Sequence, residues 1–342
     1  MENKRIINPE ISVEDINSEL SLRPAKFIDY VGQKRIKETL SIAIKAAKQR
    51  SESLDHTLLY GPPGLGKTTL AHVISNEMKS SIKVTSGPAI EKAGDLVSIL
   101  TRLQKGDILF IDEIHRLNKI SEEVLYSAME EYRVSWVIEQ GLKARSVNLG
   151  IQPFTLVGAT TKFGMLSAPL RDRFGSVYRL NFYSDSEMAE ILNRSTKILK
   201  IDSDNKGVKE IAIRSRKTPR IANRLLRRVR DFSEVQSDGK INASIVKKAL
   251  NQLEVDKLGL DKIDVELLES LVKKFDGGPV GLQTLAASIS EDPTTVEDVM
   301  EPFLLNLGFI SRTNRGRVAT KLAYQHLGID IKDEPSQGTL LN

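Results

Sequence analysis

A chain of 342 residues, 40% hydrophobic and 28% charged, is too long for one compact core and too apolar to stay unfolded, so two or three globular domains are expected. It has no cysteine and only four histidines, which excludes thiolate metal sites, disulfides and a cysteine nucleophile and argues against a zinc cluster. The net charge of +5 permits a polyanionic partner without requiring one, and no apolar run reaches the roughly 20 residues of a bilayer span, so a cytoplasmic protein with no membrane association is expected.

The first residues are polar and lack a signal-peptide core. From Val31 to about Tyr183, short apolar runs alternate with helical patterns. Strands are expected at Thr57–Tyr60, Ile82–Thr85, Ile108–Ile111, Phe154–Ala159 and Tyr178–Phe182, the pattern of an α/β domain with a parallel sheet and helical crossovers over residues 1–183. Arg133–Ile138 and Ala144–Leu149 read as two strands around Gln140-Gly141, a hairpin insert over about 133–149 suited to a docking arm. After Phe182 the chain becomes helical. Ser184 with Glu187 makes a capping box, and Thr218-Pro219 places a cap before proline, so residues 184–255 read as a small helical domain. In residues 256–342, helices at Val265–Phe275, Gly281–Ile289 and Val296–Leu307 precede Phe309-Ile310, a turn at Thr313–Gly316 and Val318. Helices closed by a small basic hairpin suggest a winged helix.

The segment GPPGLGKT, Gly61 to Thr68, follows the strand TLLY and opens a helical pattern. Its glycines let backbone N–H groups wrap phosphate oxygens at a helix's positive end; Lys67 neutralises the β and γ phosphates, and Thr68 offers a hydroxyl to Mg²⁺. In ILFIDEIH, an apolar strand ends in Asp112, placed to hold the magnesium, and Glu113, placed to activate water. Thr160 and Thr161, after FTLVGA, are read either as a γ-phosphate sensor or as turn caps. The arginines of LRDRFG are read either as a finger into a neighbour's site or as surface ion pairs. Positive charge gathers late: Arg214 to Arg230 holds eight basic residues and no acid, and Arg312, Arg315, Arg317 and Lys321 form a second cluster. For Arg224, Arg227 and Arg228, a solvated or subunit-facing surface competes with DNA binding.

These motifs occur in the order found in AAA+ ATPases. LRPAKFIDYVGQ, LDHTLLYGPPGLGKTTLA, SGPAIEKAGDL, LFIDEIHRLN, GATTKFGMLSAPLRDRFG, TPRIANRLLRRVRD, GGPVGLQTLAASISED and GFISRTNRGRVAT resemble the RuvB family from about Leu22 to Gly328. The resemblance implies a P-loop AAA+ domain, a helical lid and a winged-helix domain. It also implies an ATP-dependent DNA motor with Mg²⁺ that drives branch migration of Holliday junctions as a homohexamer, with RuvA docked on the hairpin and RuvC in the resolution complex. Carried over by motif, Leu22 and Arg23 border the adenine, and Gly64, Gly66, Lys67, Thr68 and Thr69 cradle the phosphates. Glu130, Glu131, Tyr132 and Tyr183 join the nucleotide-binding set. Thr161 is the sensor, Arg173 the finger in preference to Arg171, Arg220 a second γ-phosphate sensor, and Arg312 and Arg317 the DNA contacts on the wing. The hairpin sequence WVIEQGLKARSVNLG and Lys162, where the family commonly has arginine, depart from the pattern. A clamp-loader or initiator-like switch and a nucleotide-gated DNA-binding regulator are the alternatives; the carboxyl-terminal motifs weigh against the first, Glu113 and the finger candidate against the second.

Overall fold

A computed structural model describes residues 21–137 and 146–330. The described residues form two compact units, one built from 21–198 together with 218–220, the other from 199–217 and 221–330.

The first unit is organised by a five-stranded parallel sheet in the order β2-β3-β6-β1-β7, with β1 Thr57–Tyr60, β2 Ile82–Ser86, β3 Ile108–Asp112, β6 Thr155–Thr160 and β7 Ser176–Arg179. Parallel neighbours need crossovers, supplied here by α2 Lys67–Met78, α3 Ala93–Leu100 and α4 Lys119–Glu131; α1 Lys34–Arg50 precedes β1. β3 and β6 are apolar and buried along nearly their whole length because both sheet faces are covered. The core between sheet and helices holds Leu58, Leu96, Leu109, Ile111, Leu125, Phe154 and Leu170. His56 is spent on this core: its Nδ1 accepts the Leu156 N–H at 2.8 Å and its Nε2 lies 3.2 Å from Met129 O, while burial lowers its basicity. β4 Arg133–Val137 and β5 Ser146–Gly150 pair antiparallel as the expected hairpin, with Arg133 opposite Gly150. Its turn lies outside the described residues, as do Leu142 and Lys143.

One strand is shifted. Tyr178–Phe182 was the expected span, but β7 covers Ser176–Arg179, because its partner β1 becomes the P-loop at Gly61 and only Leu180 N still reaches Tyr60 O, at 2.8 Å. After β7, α6 Asp185–Leu199 starts on the expected capping box, Ser184 N donating to Glu187 Oε2 at 2.8 Å and Glu187 N to Ser184 Oγ at 3.3 Å.

In the second unit, α7 Asn205–Ile213, most of α8 Pro219–Gln236, and α9 Ala243–Gln252 lead into α10 Lys262–Glu269, α11 Leu282–Ser288, α12 Pro293–Thr295 and α13 Glu301–Asn306. The hairpin β8 Ile310–Thr313 and β9 Gly316–Ala319 follows, then α14 Lys321–Leu327, a helix not anticipated from the sequence. Leu267, Leu271, Leu285, Met300, Phe303, Leu304 and Phe309 form its core. Much of the basic run is structural. Arg216 is 2% exposed; its Nε donates to Gly259 O at 3.0 Å, its Nη2 pairs with Asp264 and lies 3.7 Å from Asp261, and its guanidinium sits over Phe303. Buried guanidinium charge is tolerated only when paired in this way.

Candidate nucleotide site

β1, β3 and β6 end on the same edge of the sheet, with Tyr60 in register with Thr160. Ligands of open parallel sheets bind outside such carboxyl ends, where the chain's connections diverge. From Tyr60 the chain turns through Gly61, Gly64 and Gly66, whose φ values of 140°, 78° and 92° lie in the region glycine favours. A Cβ on Gly61 would meet Leu180 O at 2.6 Å, so the loop can only close without one. No side chain caps the first turn of α2 and no acid lies in it, which leaves the helix's positive end for an anion. Thr69 lies half-buried in that turn.

Lys67 folds back over the loop, donating to Gly61 O at 2.8 Å and Pro62 O at 3.0 Å. Burial pushes its ammonium down to about 8; Asp112 and Glu113 oppose the shift, and Arg220, at the start of α8, adds to it. A lysine so desolvated gains from an incoming triphosphate. Thr68 Oγ1 donates to Asp112 Oδ2 at 3.3 Å, bringing one hydroxyl and one carboxylate together at the end of β3. That pair fits Mg²⁺, which takes few protein ligands and completes its shell with water and substrate phosphates. Among the described residues no cluster of three or more histidine, aspartate or glutamate side chains is preformed for a metal.

Glu113 follows Asp112 in a left-handed conformation, φ 46° and ψ 46°. The turn after β2 presses on it: a Cβ on Gly87 would come within 2.4 Å of Glu113 O. Thr161 Oγ1 donates to Glu113 Oε2 at 3.1 Å, whereas Thr160 is fully buried and bonds His115 Nδ1 at 2.8 Å. The two adjacent threonines thus face different partners, and Thr161 is the one that reaches the carboxylate.

On the other flank, Leu22 is buried and its carbonyl accepts Arg194 Nη1 at 2.5 Å, while Arg23 lies close enough to His72 of α2 to add to the lowering of its basicity that burial begins. The Tyr183 hydroxyl donates to Leu65 O at 3.2 Å and lies 3.3 Å from the Tyr30 hydroxyl. Burial raises the pKa of both phenols, so both stay neutral beside the loop. Arg23 and Tyr183 therefore lie beside the P-loop and its helix, whereas Leu22 is held by Arg194 of α6.

Glu130 and Tyr132, at the end of α4, have contacts of their own. Glu130 pairs with Arg173 Nη2 at 3.2 Å and Tyr132 packs edge-on against Phe154. Arg173 closes the short helix α5 Ala168–Asp172; it donates to Pro169 O at 2.7 Å and lies 4.4 Å from the Tyr126 ring centroid, with its Nε buried and unpaired. Tyr126 in turn is held by Glu122 at 3.0 Å and Ser167 at 3.0 Å. This builds a separate arginine-presenting face from α4 and α5.

On the wing, both expected DNA contacts engage one acid. Arg317, its side chain 15% exposed, grips the fully buried Glu301 of α13, Nη2 at 3.2 Å with Nε closer. Arg312 Nε reaches the same carboxylate at 2.9 Å but stays half exposed, and Arg315, at the hairpin tip, is exposed. A carboxylate removed from water must be neutralised, and the two nearest guanidiniums do so.

Three family models match in sequence order: the Holliday junction DNA helicase RuvB P-loop domain over residues 22–180, the RuvB AAA lid domain over 183–256 and the RuvB C-terminal winged helix domain over 257–328. The chain belongs to the RuvB family. It is therefore an AAA+ ATPase, with a P-loop domain, a lid and a winged helix. Among curated RuvB proteins, the Holliday junction branch migration complex subunit of Dehalococcoides mccartyi is 56% identical over 333 residues, covering 97% of this chain and 95% of its own. That of Chloroflexus aggregans is 54% identical over 349 residues, covering 99% and 100%. A solved structure of the Thermotoga maritima RuvB Holliday junction branch migration motor superposes with a TM-score of 0.82 at 48% identity, covering 91% of this chain and all of that one. Within this RuvB-family site, sequence reasoning missed His115, Tyr30, Tyr126 and Gly87. DEIH and SGPA contained two of them, but no spacing rule says which neighbours a buried imidazole or a close glycine will meet.

Proposed function

We propose that this chain is the motor subunit of a branch-migration complex, a hexameric ring that draws the arms of a four-way Holliday junction through itself as it hydrolyses ATP. The observation that carries the reading is the convergence of Lys67, Thr68, Asp112, Glu113 and Thr161 on one sheet edge of a RuvB-family chain. ATP lies on the P-loop, with Leu22, Arg23 and Tyr183 on its flank and Arg220 near the γ-phosphate. Magnesium, held by Thr68 and Asp112, neutralises phosphate charge when bound. Glu113 takes the proton from the attacking water, Thr161 orients that carboxylate, and Arg173, on the α4–α5 face with Glu130, Glu131 and Tyr132, serves the neighbouring subunit's nucleotide. RuvA docks on the hairpin at 133–149, and RuvC joins for resolution. Arg312 and Arg317 meet DNA phosphates, with Arg315 beside them at the hairpin tip, and Arg317 also braces the wing. The division into ATPase, lid and winged-helix domains at 183/184 and 255/256 belongs to this reading and is supported by where the family models begin and end. Among the described residues no helix is long and apolar enough to cross a membrane, and a chromosomal substrate accords with a cytoplasmic protein.

The test is ATPase activity with and without duplex DNA and RuvA, measured beside strand exchange on a synthetic four-way junction. Wild type should drive exchange only with hydrolysable ATP, and Glu113→Gln should bind ATP and do neither. Hydrolysis without strand exchange in the complete mixture would defeat the motor reading in favour of a loading switch.

A further inference from the structure

Glu113 stands just past β3, and the strand alone gives its carboxylate no fixed direction. Two side chains converge on one of its oxygens: Thr161 Oγ1 donates to Oε2 at 3.1 Å, and His115 Nδ1 lies 3.2 Å from the same atom. The same Nδ1 lies 2.8 Å from Thr160 Oγ1, which also accepts the Lys162 N–H at 3.0 Å. These distances suit a proton carried on Nδ1. An unprotonated Nδ1 would turn its lone pair toward the carboxylate oxygen, whereas an Nδ1–H donates toward both neighbours. The imidazole is 5% exposed, and Thr160 is fully buried and paired in register with Tyr60, so the tether is fixed to the middle of the sheet rather than to a loop.

We propose that His115 is a positioning residue for hydrolysis: its Nδ1–H ties Glu113 Oε2 to Thr160 and so leaves Oε1 directed at the attacking water. The proposal rests on Glu113 being the group that activates water. It assigns the histidine of DEIH a task in hydrolysis, because its Nδ1 lies against both the carboxylate and the sheet. Misplacing a general base by about 1 Å costs on the order of 10²-fold in rate.

The experiment compares His115→Phe, which keeps a ring but no donor, with His115→Asn, whose amide N–H falls near the place of Nδ1–H. Steady-state turnover and equilibrium ATP binding are measured in the full-length protein, together with Glu113→Gln and the Glu113→Gln/His115→Phe double variant. His115→Phe is expected to lower kcat by about 10- to 100-fold with ATP affinity within about twofold of wild type. His115→Asn should recover most of that loss, and the double variant should be no slower than Glu113→Gln alone, because the two side chains act as one unit. Undiminished kcat in His115→Phe overturns the proposal. So does loss of ATP binding in both His115 variants, or a His115→Asn enzyme as slow as His115→Phe, since either would make the role structural. Normal turnover in Glu113→Gln would remove the underlying assignment and the proposal with it, whereas an inactive Glu113→Gln beside a fully active His115→Phe removes the proposal alone.

Discussion

Glu301→Gln should loosen the wing. The native carboxylate is fully buried and receives Arg312 Nε at 2.9 Å and Arg317 Nη2 at 3.2 Å, with a closer contact from each guanidinium and Glu297 at 3.8 to 4.0 Å beyond. A glutamine keeps the shape but offers one acceptor oxygen and turns an NH₂ donor toward the other arginine. Hydrogen bonds to charged groups are worth about 1.5–3 kcal/mol each. Arg312, with a side chain 48% exposed, regains water and loses little, whereas Arg317, at 15%, keeps only Glu297, 4.0 Å from its Nη2, to offset its charge. The net cost is therefore about 2–3 kcal/mol, and it falls on the hairpin that Arg317 also ties to Val280 through backbone bonds of 2.7 and 2.9 Å. At about 1.4 kcal/mol per tenfold, the protected amides of β8 and β9 should exchange hydrogen roughly 30- to 150-fold faster. Duplex affinity should fall as well, although the substitution makes the wing more positive; counting charges alone predicts tighter binding. Exchange rates within about threefold of wild type, or a gain in DNA affinity, would refute the bracing role.

Three further outcomes are expected. Lys67 titrates near 8 in the folded chain because burial disfavours its charge, against 10.5 unperturbed. Stability should therefore rise with pH across that interval, and ATP affinity should weaken above about 8, where binding must take up a proton; a pH-independent affinity between about 7 and 9.5 would contradict this. Gly87→Ala puts a methyl 2.4 Å from Glu113 O, which should cost about 1–3 kcal/mol in thermal stability and lower turnover more than ATP binding; unchanged kcat would show the contact to be idle. Arg173→Ala should bind ATP but lose on the order of 10³-fold in hydrolysis, and mixing it with Lys67→Ala should restore part of the rate at interfaces that pair an intact site with an intact finger. Verified mixed rings without recovery would count against a shared site.

The P-loop, the Asp112-Glu113 strand end and the parallel sheet were legible because each is local. Glycine spacing, an apolar run and a following helix suffice to place Lys67 and Thr68, and the strand end places Asp112 and Glu113. The capping box at Ser184 and Glu187 was legible for the same reason, its partners lying three residues apart. Strand β7 was misplaced because its length depends on where β1 stops, which β7 itself does not encode. Helix α14 was missed although Thr320 precedes it and Gly328 closes it in the left-handed region, because seven residues carry little periodicity.

What the sequence by itself determined was a P-loop on a parallel sheet, and from it followed the expectations of a magnesium pair, a water-activating carboxylate, and arginines for a partner and for DNA. Which arginine is presented and which is consumed was decided only by tertiary structure. Arg312, Arg315 and Arg317 alternate on one short hairpin and look alike in sequence, yet the buried carboxylate of Glu301 reaches the first and third from a helix sixteen or fewer residues away and leaves the second in solvent. Arg216, inside the most basic run of the chain, is drawn inward by Asp264, 48 residues on. A guanidinium's role depends on whether an acid is brought within hydrogen-bond reach before water is excluded, and that is settled by packing between distant segments rather than by any pattern along the chain.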